Sequence, residues 1–510
     1  MRSTSGPGSF VSAILRLPPE LIQFAAREPP RSLLIRGDPG AGKTTMALGL
    51  LSAYGGKRIL ITSRVSEEEI AHDYPWLQTE VEGQIEIIES IANVGRIESR
   101  GRILRSSAAL LVGGAEDPVV DQLWLPEQVT DAFSRVPPGT SGMVVIDSWD
   151  ALVEQYLGAP RASGTPLPDR AEIERLLLGL LGRGKVHLVL VLEHPEATQL
   201  DYLVDGVVAC VVNSTEERLE RWTHLKKMRG VRIEHAWYPY TLEGGRFLCI
   251  APIPPNYITR LQAPQAEPDR RPDQLWPGSA EYATHFGRLR YGRATLLEVD
   301  PEVPVEAVRL LISPIQSQVL AQHGRMLVIL PPTLSASDLW ESVRPVITPE
   351  EFVANVRVYA PSGNPPGGPH AEIIDQVLVT GPTSEAPAME SRMPAAARFL
   401  HEGKGVGLPS LTVTWINGLR AGSAGGPEAY SPATFPALVQ KALGAPMTHS
   451  ILIGSPTDPY LQSLQEIAST RISIKSQSGR IFLYGVQPLT PPLVLAQSEF
   501  AGPYQLIRVV

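Results

Sequence analysis

The sequence predicts an α/β protein of two tandem domains, each a mostly parallel sheet, with the second copy degenerate. Three observations carry that prediction. Short apolar runs alternate with helical stretches, as in parallel sheets covered on both faces. One complete phosphate-loop sequence occurs in a chain of 510 residues, well beyond the roughly 100–200 residues of a common domain. Landmarks of the first half also recur, in order, in the second.

Residues 1–14 open with "MRSTSGPGSF", which lacks an apolar signal region and reads as a flexible tail. Residues 15–252 form the first predicted domain. "PELIQFAAREPP" is a short helix closed by prolines, and "RSLLIRG" is a buried strand entering a glycine-rich turn. "TTMALGLLSAY" is the next helix, ended by Gly55-Gly56, and "RILITS" is the second strand. "SEEEIAHDYPW" carries a serine and an acidic first turn, a helix-start signal. "GMVVIDSWDALVEQYL" is a strand passing into a helix at Asp147, and "RAEIERLLLGLLGRG" is an amphipathic helix leading to the strand "VHLVLVLE". "DGVVACVV" and "RWTHLKKMRG" are adjacent strands. Residues 253–284 are proline-rich without apolar period, a linker or an ordered strap. Residues 285–510 resume strands and helices, separated by the proline/glycine-rich loops "PSGNPPGGPH", "GPTSEAPAMESRMPA" and "AGSAGGPEAYSP".

Bulk properties narrow the function classes. The chain is 43% hydrophobic and 19% charged, with no apolar run of about 18 residues, so no membrane span is expected. Cys210 and Cys249 sit in apolar runs without metal-ligand spacing and read as buried thiols, which fits a cytoplasmic protein. A net charge of −8 disfavours DNA binding through the whole surface while leaving local basic patches open.

Gly37-Asp38-Pro39-Gly40-Ala41-Gly42-Lys43-Thr44 matches G-x-x-x-x-G-K-[ST] in full, with Thr45 next in the helix. Small residues leave backbone N–H groups free to converge on phosphate oxygens at a helix N-terminus. Lys43 is placed to reach the β and γ phosphates of ATP, and the Thr44 hydroxyl to ligate Mg²⁺. Asp147 closes the apolar strand "MVVID", where a carboxylate would support the same Mg²⁺ through water; the alternative is a helix cap.

The order of loop, strand, Asp147, "VHLVLVLE", "YLVDGVVACVV" and "RWTHLKKMRG" resembles the RecA-type ATPases of the circadian-clock KaiC group. "RSLLIRGDPGAGKTT" with "ITSRV" and "YPWL" resembles, more narrowly, the P-loop family of the gas-vesicle regulator GvpD. The resemblance covers roughly residues 15–250. It implies a nucleotide-dependent regulatory switch, a RecA-like fold, and self-association into a ring or other oligomer. It also implies that Lys227 and Arg229, in "KMRG", reach a neighbouring subunit's γ-phosphate as a finger pair. A solvated strand or a nucleic-acid surface shared with Arg218, Arg221, Lys226 and Arg232 are the other readings of those two residues. KaiC-type domains carry two water-polarising glutamates after the second strand. Arg64 and Val65 stand there in this chain, so slow hydrolysis is expected. Arg96, Arg100, Arg102 and Arg105 form a second basic cluster, read as a solvated face or a site for an acidic partner or DNA.

In the second half "RATLLEVDPEVPVEAVRLLI" aligns with the phosphate-loop segment. Lys43 falls on Val305 (305 − 43 = 262) and Thr44 on Glu306. "GRMLVIL" aligns with "KRILITS" (325 − 58 = 267), and Thr414 with Asp147 (414 − 147 = 267). "LYGVQP" aligns with "LKKMRG", placing Gly485 on Lys227 (485 − 227 = 258). The second domain therefore reads as a pseudo-ATPase without phosphate loop, magnesium carboxylate or finger pair. The expected function is a regulatory ATP-binding protein with a protein partner. The rivals are a RecA/RadA-like DNA-processing ATPase and a plain ATP-driven enzyme.

Overall fold

The computed structural model describes residues 14–80, 85–90, 125–137, 139–158, 169–181, 186–215, 217–253, 263–360, 370–378, 398–400, 407–421, 447–496 and 502–509. The second arginine cluster, most of the N-terminal tail and the interiors of the three proline/glycine-rich loops lie outside them. The chain divides into two compact units, Ile14–Ile250 and Ala251–Arg508.

The first unit is a ten-stranded sheet. Its spatial order is Ile14–Leu15, Leu248–Ile250, Trp237–Thr241, Arg218–Met228, Gly206–Thr215, Ser32–Gly37, Val186–Val191, Gly142–Asp147, Lys57–Thr62 and Glu86–Glu89. The six strands from Gly206–Thr215 to Glu86–Glu89 are parallel, and the others run antiparallel to their neighbours. Central strands are apolar throughout because both faces are covered. Leu33 and Ile35 pack on one side with Met46, Leu50 and Tyr240, whereas Leu34 packs on the other with Ile59, Val144 and Leu188.

The second unit is a nine-stranded sheet ordered Gln505–Arg508, Leu493–Ala496, Arg480–Gln487, Ala468–Gln477, Arg293–Val299, Thr448–Gly454, Ser410–Trp415, Arg325–Ile329 and Val356–Tyr359. Numbered by chain order within each unit, and leaving aside Ile14–Leu15, both sheets read 9-8-7-6-1-5-4-2-3, with the same six strands parallel. The protein is thus a tandem of two RecA-like α/β units. The ladders fix residue equivalences as well. Ile35 opposes Val191, which opposes Asp147, and the matching Leu297 opposes Ile453, which opposes Trp415; Asp147 therefore corresponds to Trp415, at 415 − 147 = 268, and not to Thr414. The helix after the first strand begins at Lys43 in one unit and at Val305 in the other.

A second alignment is corrected as well. Leu34 opposes Val207, which opposes Lys227; the matching Leu296 opposes Arg471, which opposes Gln487. Lys227 therefore corresponds to Gln487, at 487 − 227 = 260, and not to Gly485. Side chains on a strand alternate with period two, so a two-residue slip preserves every inward and outward position and the pattern cannot reveal it. Both ladders carry a register irregularity at the same place, Val207/Val208 and Arg471/Ile472.

The described part of the proline-rich segment is an ordered strap. Leu275 and Trp276 are buried, Gln274–Leu275 pairs with Leu289–Arg290, and Ala280–Phe286 is a helix capped by Ser279. Arg288 pairs with Glu267 at 2.9 Å and stacks over Trp276. Gly278, at φ 71°, lies against the long helix Val305–Ala321, where an added Cβ would sit 2.4 Å from the Pro314 carbonyl oxygen.

Candidate nucleotide-binding site

The phosphate-loop sequence lies between the central strand Ser32–Gly37 and the helix Lys43–Ala53, at the carboxyl ends of the parallel strands. Two glycines are required by geometry. A Cβ on Gly37 would stand 2.0 Å from the Cys210 carbonyl oxygen of the adjacent strand. Gly42 caps the helix at φ 77° and lies against Leu242, 2.7 Å from a hypothetical Cβ. Neighbouring strands hold the loop from behind. Arg221 donates to the Gly40 carbonyl at 2.7 Å, and the Tyr240 hydroxyl donates to the Ala41 carbonyl. Thr45 is buried at the start of the helix, its hydroxyl 3.5 Å from that of Tyr74.

Lys43 folds back over the loop, donating to the carbonyls of Gly37 and Asp38 at 2.6 and 2.9 Å. Burial lowers the pKa of its ammonium, against the opposing pull of the surrounding anionic groups, Asp147 and Glu193 among them. The Thr44 hydroxyl donates to Asp147 Oδ2 at 2.6 Å. Burial raises the Asp147 carboxyl, opposed by the Thr44 hydrogen bond and the Lys43 charge. These residues meet in a cleft of about 260 Å³, lined also by Pro39, Gly40, Arg64 and Glu193.

The segment after the second strand sends no glutamate into that cleft. Val65 packs on the core, and Arg64 pairs with Glu193 at 2.5 Å. Glu69 closes a capping box with Ser66, and Glu67 and Glu68 are exposed. Within one chain, Lys227 and Arg229 do not join Lys43, Thr44 and Asp147. Met228 opposes Gly206, the first residue of its strand, so the pair lies at the sheet edge opposite the loop. There Lys227 donates to the carbonyls of Asp201, Tyr202 and Val204, and Arg229 pairs with Asp205 at 3.1 Å. Sequence reasoning passed over Glu193, although it ends the run "VHLVLVLE" as Asp147 ends "MVVID". Arg221 was visible only as one member of a basic cluster.

The matching region of the second unit has different chemistry. Pro304, without an N–H, caps the helix, and Val305 and Glu306 take the places of Lys43 and Thr44. Asp300, Pro301, Trp415 and Asp458 line the cleft there.

Residues 21–226 match the family described as GvpD gas vesicle protein, P-loop domain. Over that stretch the first unit is similar to the GvpD P-loop family. Two relatives from Halobacterium salinarum extend the likeness to both units. Protein GvpD2 is 26% identical over 94% of this chain and 93% of its own length. Protein GvpD1 is 22% identical over 97% of this chain and 96% of its own length. The GvpD-like likeness thus spans the second unit, where the loop chemistry is missing. Among the described residues, no helix is long and apolar enough to cross a membrane.

Proposed function

We propose that this GvpD-like protein binds one ATP·Mg²⁺ per chain and acts as a nucleotide-dependent regulatory switch with slow hydrolysis, through a partner protein in a gas-vesicle setting. The observation that carries the reading is the convergence of Lys43, Thr44 and Asp147 on one cleft beneath a glycine-capped helix start. A hydroxyl and a carboxylate oxygen 2.6 Å apart fit Mg²⁺, a hard cation that takes few protein oxygens and keeps several waters. Bound there, Mg²⁺ would neutralise phosphate charge. Lys43 would exchange its carbonyl partners for phosphate oxygens, and the loop N–H groups would supply the remaining donors.

The second unit serves in this reading as a scaffold without nucleotide. Glu306 would repel a triphosphate, and Trp415, in the place of Asp147, has no carboxylate for the metal. The gas-vesicle setting comes from the description of the matching family, and a cytoplasmic location is part of the same proposal. Titration calorimetry of the full chain with ATP·Mg²⁺ tests the proposal. One site per chain, lost in Lys43→Ala, is expected; two sites, or unchanged binding in that variant, would refute it. DNA-stimulated, salt-sensitive ATPase activity would favour the RecA/RadA-like alternative instead.

A further inference from the structure

We propose that Glu193 is the carboxylate that takes the proton from the attacking water, and that Arg64 positions it while presenting a guanidinium to the γ-phosphate. The inference rests on reading the cleft as an ATP site. Among the described residues lining that cleft there are two carboxylates, Asp147 and Glu193. Asp147 is engaged with the Thr44 hydroxyl and assigned to the metal. Glu193 remains, and the fold holds it firmly. Its Oε1 accepts from the Ser148 hydroxyl and its Oε2 from Arg64, each at 2.5 Å. Its backbone N–H donates to buried Asp150 at 2.8 Å, and Asp150 is in turn paired with Arg170. Its side chain is 26% exposed and Arg64 is 63% exposed, so the pair is anchored at the carboxylate and open to solvent at the guanidinium.

The second unit supplies an independent observation. Ile35 opposes Val191 and the matching Leu297 opposes Ile453, an offset of 453 − 191 = 262, which sets Glu193 against Ser455. Ile61 opposes Ile146 and Ile329 opposes Thr414, an offset of 329 − 61 = 268, which sets Arg64 against Pro332. Ser455 lines the second cleft, and neither replacement carries a charge. The ion pair is therefore missing in the unit where Lys43, Thr44 and Asp147 have no chemical counterparts. A pair that only tied two strand ends together would have no reason to disappear along with them.

The step balances without a further reactant. The water oxygen forms a bond to the γ-phosphorus as the bond to the β–γ bridging oxygen breaks. The electron pair of that bond leaves on ADP, and the water proton passes to Glu193. This arrangement supplies from the far side of the cleft a carboxylate that the stretch Arg64-Val65 lacks. Glu193 is also tied to a hydroxyl and a guanidinium, which restrains it and agrees with slow turnover.

The test measures ATP turnover by the full chain together with calorimetric affinity for a non-hydrolysable ATP analogue. Glu193→Gln should lose about 10²-fold or more in kcat, the range of a general base, while analogue affinity stays within about threefold. Glu193→Asp, which keeps the charge, should fall between wild type and Glu193→Gln. Arg64→Ala should raise KM for ATP and lower kcat, with Arg64→Lys recovering part of both. Glu68→Gln, on the exposed helix face, should match wild type. Equal rates in Glu193→Gln and Glu193→Asp, or a wild-type chain that binds the analogue without turning over ATP, would overturn the inference and leave the binding site standing. Failure of the wild-type chain to bind the analogue would remove the ATP reading itself, and this inference with it.

Discussion

Asp147 ends a buried strand with its carboxyl raised by desolvation and only partly restored by Thr44 and Lys43. A metal ligand must be ionised, so the proton has to leave before Mg²⁺ is held. Because the folded-state pKa is raised, this competition begins at a pH above the ordinary carboxylate value of about 3.9. Affinity for ATP·Mg²⁺ should therefore weaken on acidification before an unperturbed aspartate would titrate. Asp147→Asn should bind weakly throughout and lose that pH dependence. Calorimetric Kd values across pH decide it, and an identical slope in the variant would rule out Asp147 as the group. Lys43, Thr44 and Asp147 were legible because each is marked locally, two by a contiguous loop and one by closing an apolar strand. Glu193 and Arg64 were not, since their meeting depends on which strands are neighbours across a sequence separation of 129. Lys227 was legible as a cation but not as the cap of three carbonyls.

Elements show a similar division between local and long-range signals. The strands and helices that were placed followed from apolar runs and glycines, and the serine and acidic turn that marked a helix start prove to be a capping box between Ser66 and Glu69. Composition left linker and strap open for residues 253–284, because prolines and polar residues mask the few anchors, Leu275, Trp276 and Tyr282, that bury the segment. Gly278 packs directly against the Pro314 carbonyl of the long helix. Gly278→Ala should therefore destabilise the second unit by about 1–3 kcal/mol, from backbone strain and overpacking against the Pro314 carbonyl. Urea denaturation should show a lower midpoint for that variant. An unchanged midpoint would mean that the strap yields without cost. Gly37→Ala should behave alike in the first unit, because its Cβ would meet a strand carbonyl and not a flexible side-chain end.

At the scale of the whole molecule, two sheets share one strand order while only one carries phosphate chemistry. Native mass spectrometry with an ATP analogue should find one nucleotide per chain, and none should remain in Lys43→Ala. Self-association, if it places the finger pair of one chain at its neighbour's site, requires that pair to be within reach. Arg229 is 58% exposed and held by a single ion pair to the largely buried Asp205, so it can be recruited, whereas Lys227 would first have to leave three carbonyls. Mixing Lys43→Ala chains with Arg229→Ala chains should then restore part of the ATPase activity absent from each alone. A mixture that co-assembles and stays inactive would show that the finger pair does not act in trans.

The loop of the second unit has kept its length. Strand and helix stay 262 residues out of step with their counterparts from Arg31 and Arg293 through the helix starts at Lys43 and Val305. Its divergence is therefore one of spelling and not of deletion, as expected of a duplicated ancestor whose second copy was relieved of one duty and kept for another. Such a copy can be rewritten by point changes alone, since every backbone position from residue 299 to residue 306 still has its counterpart.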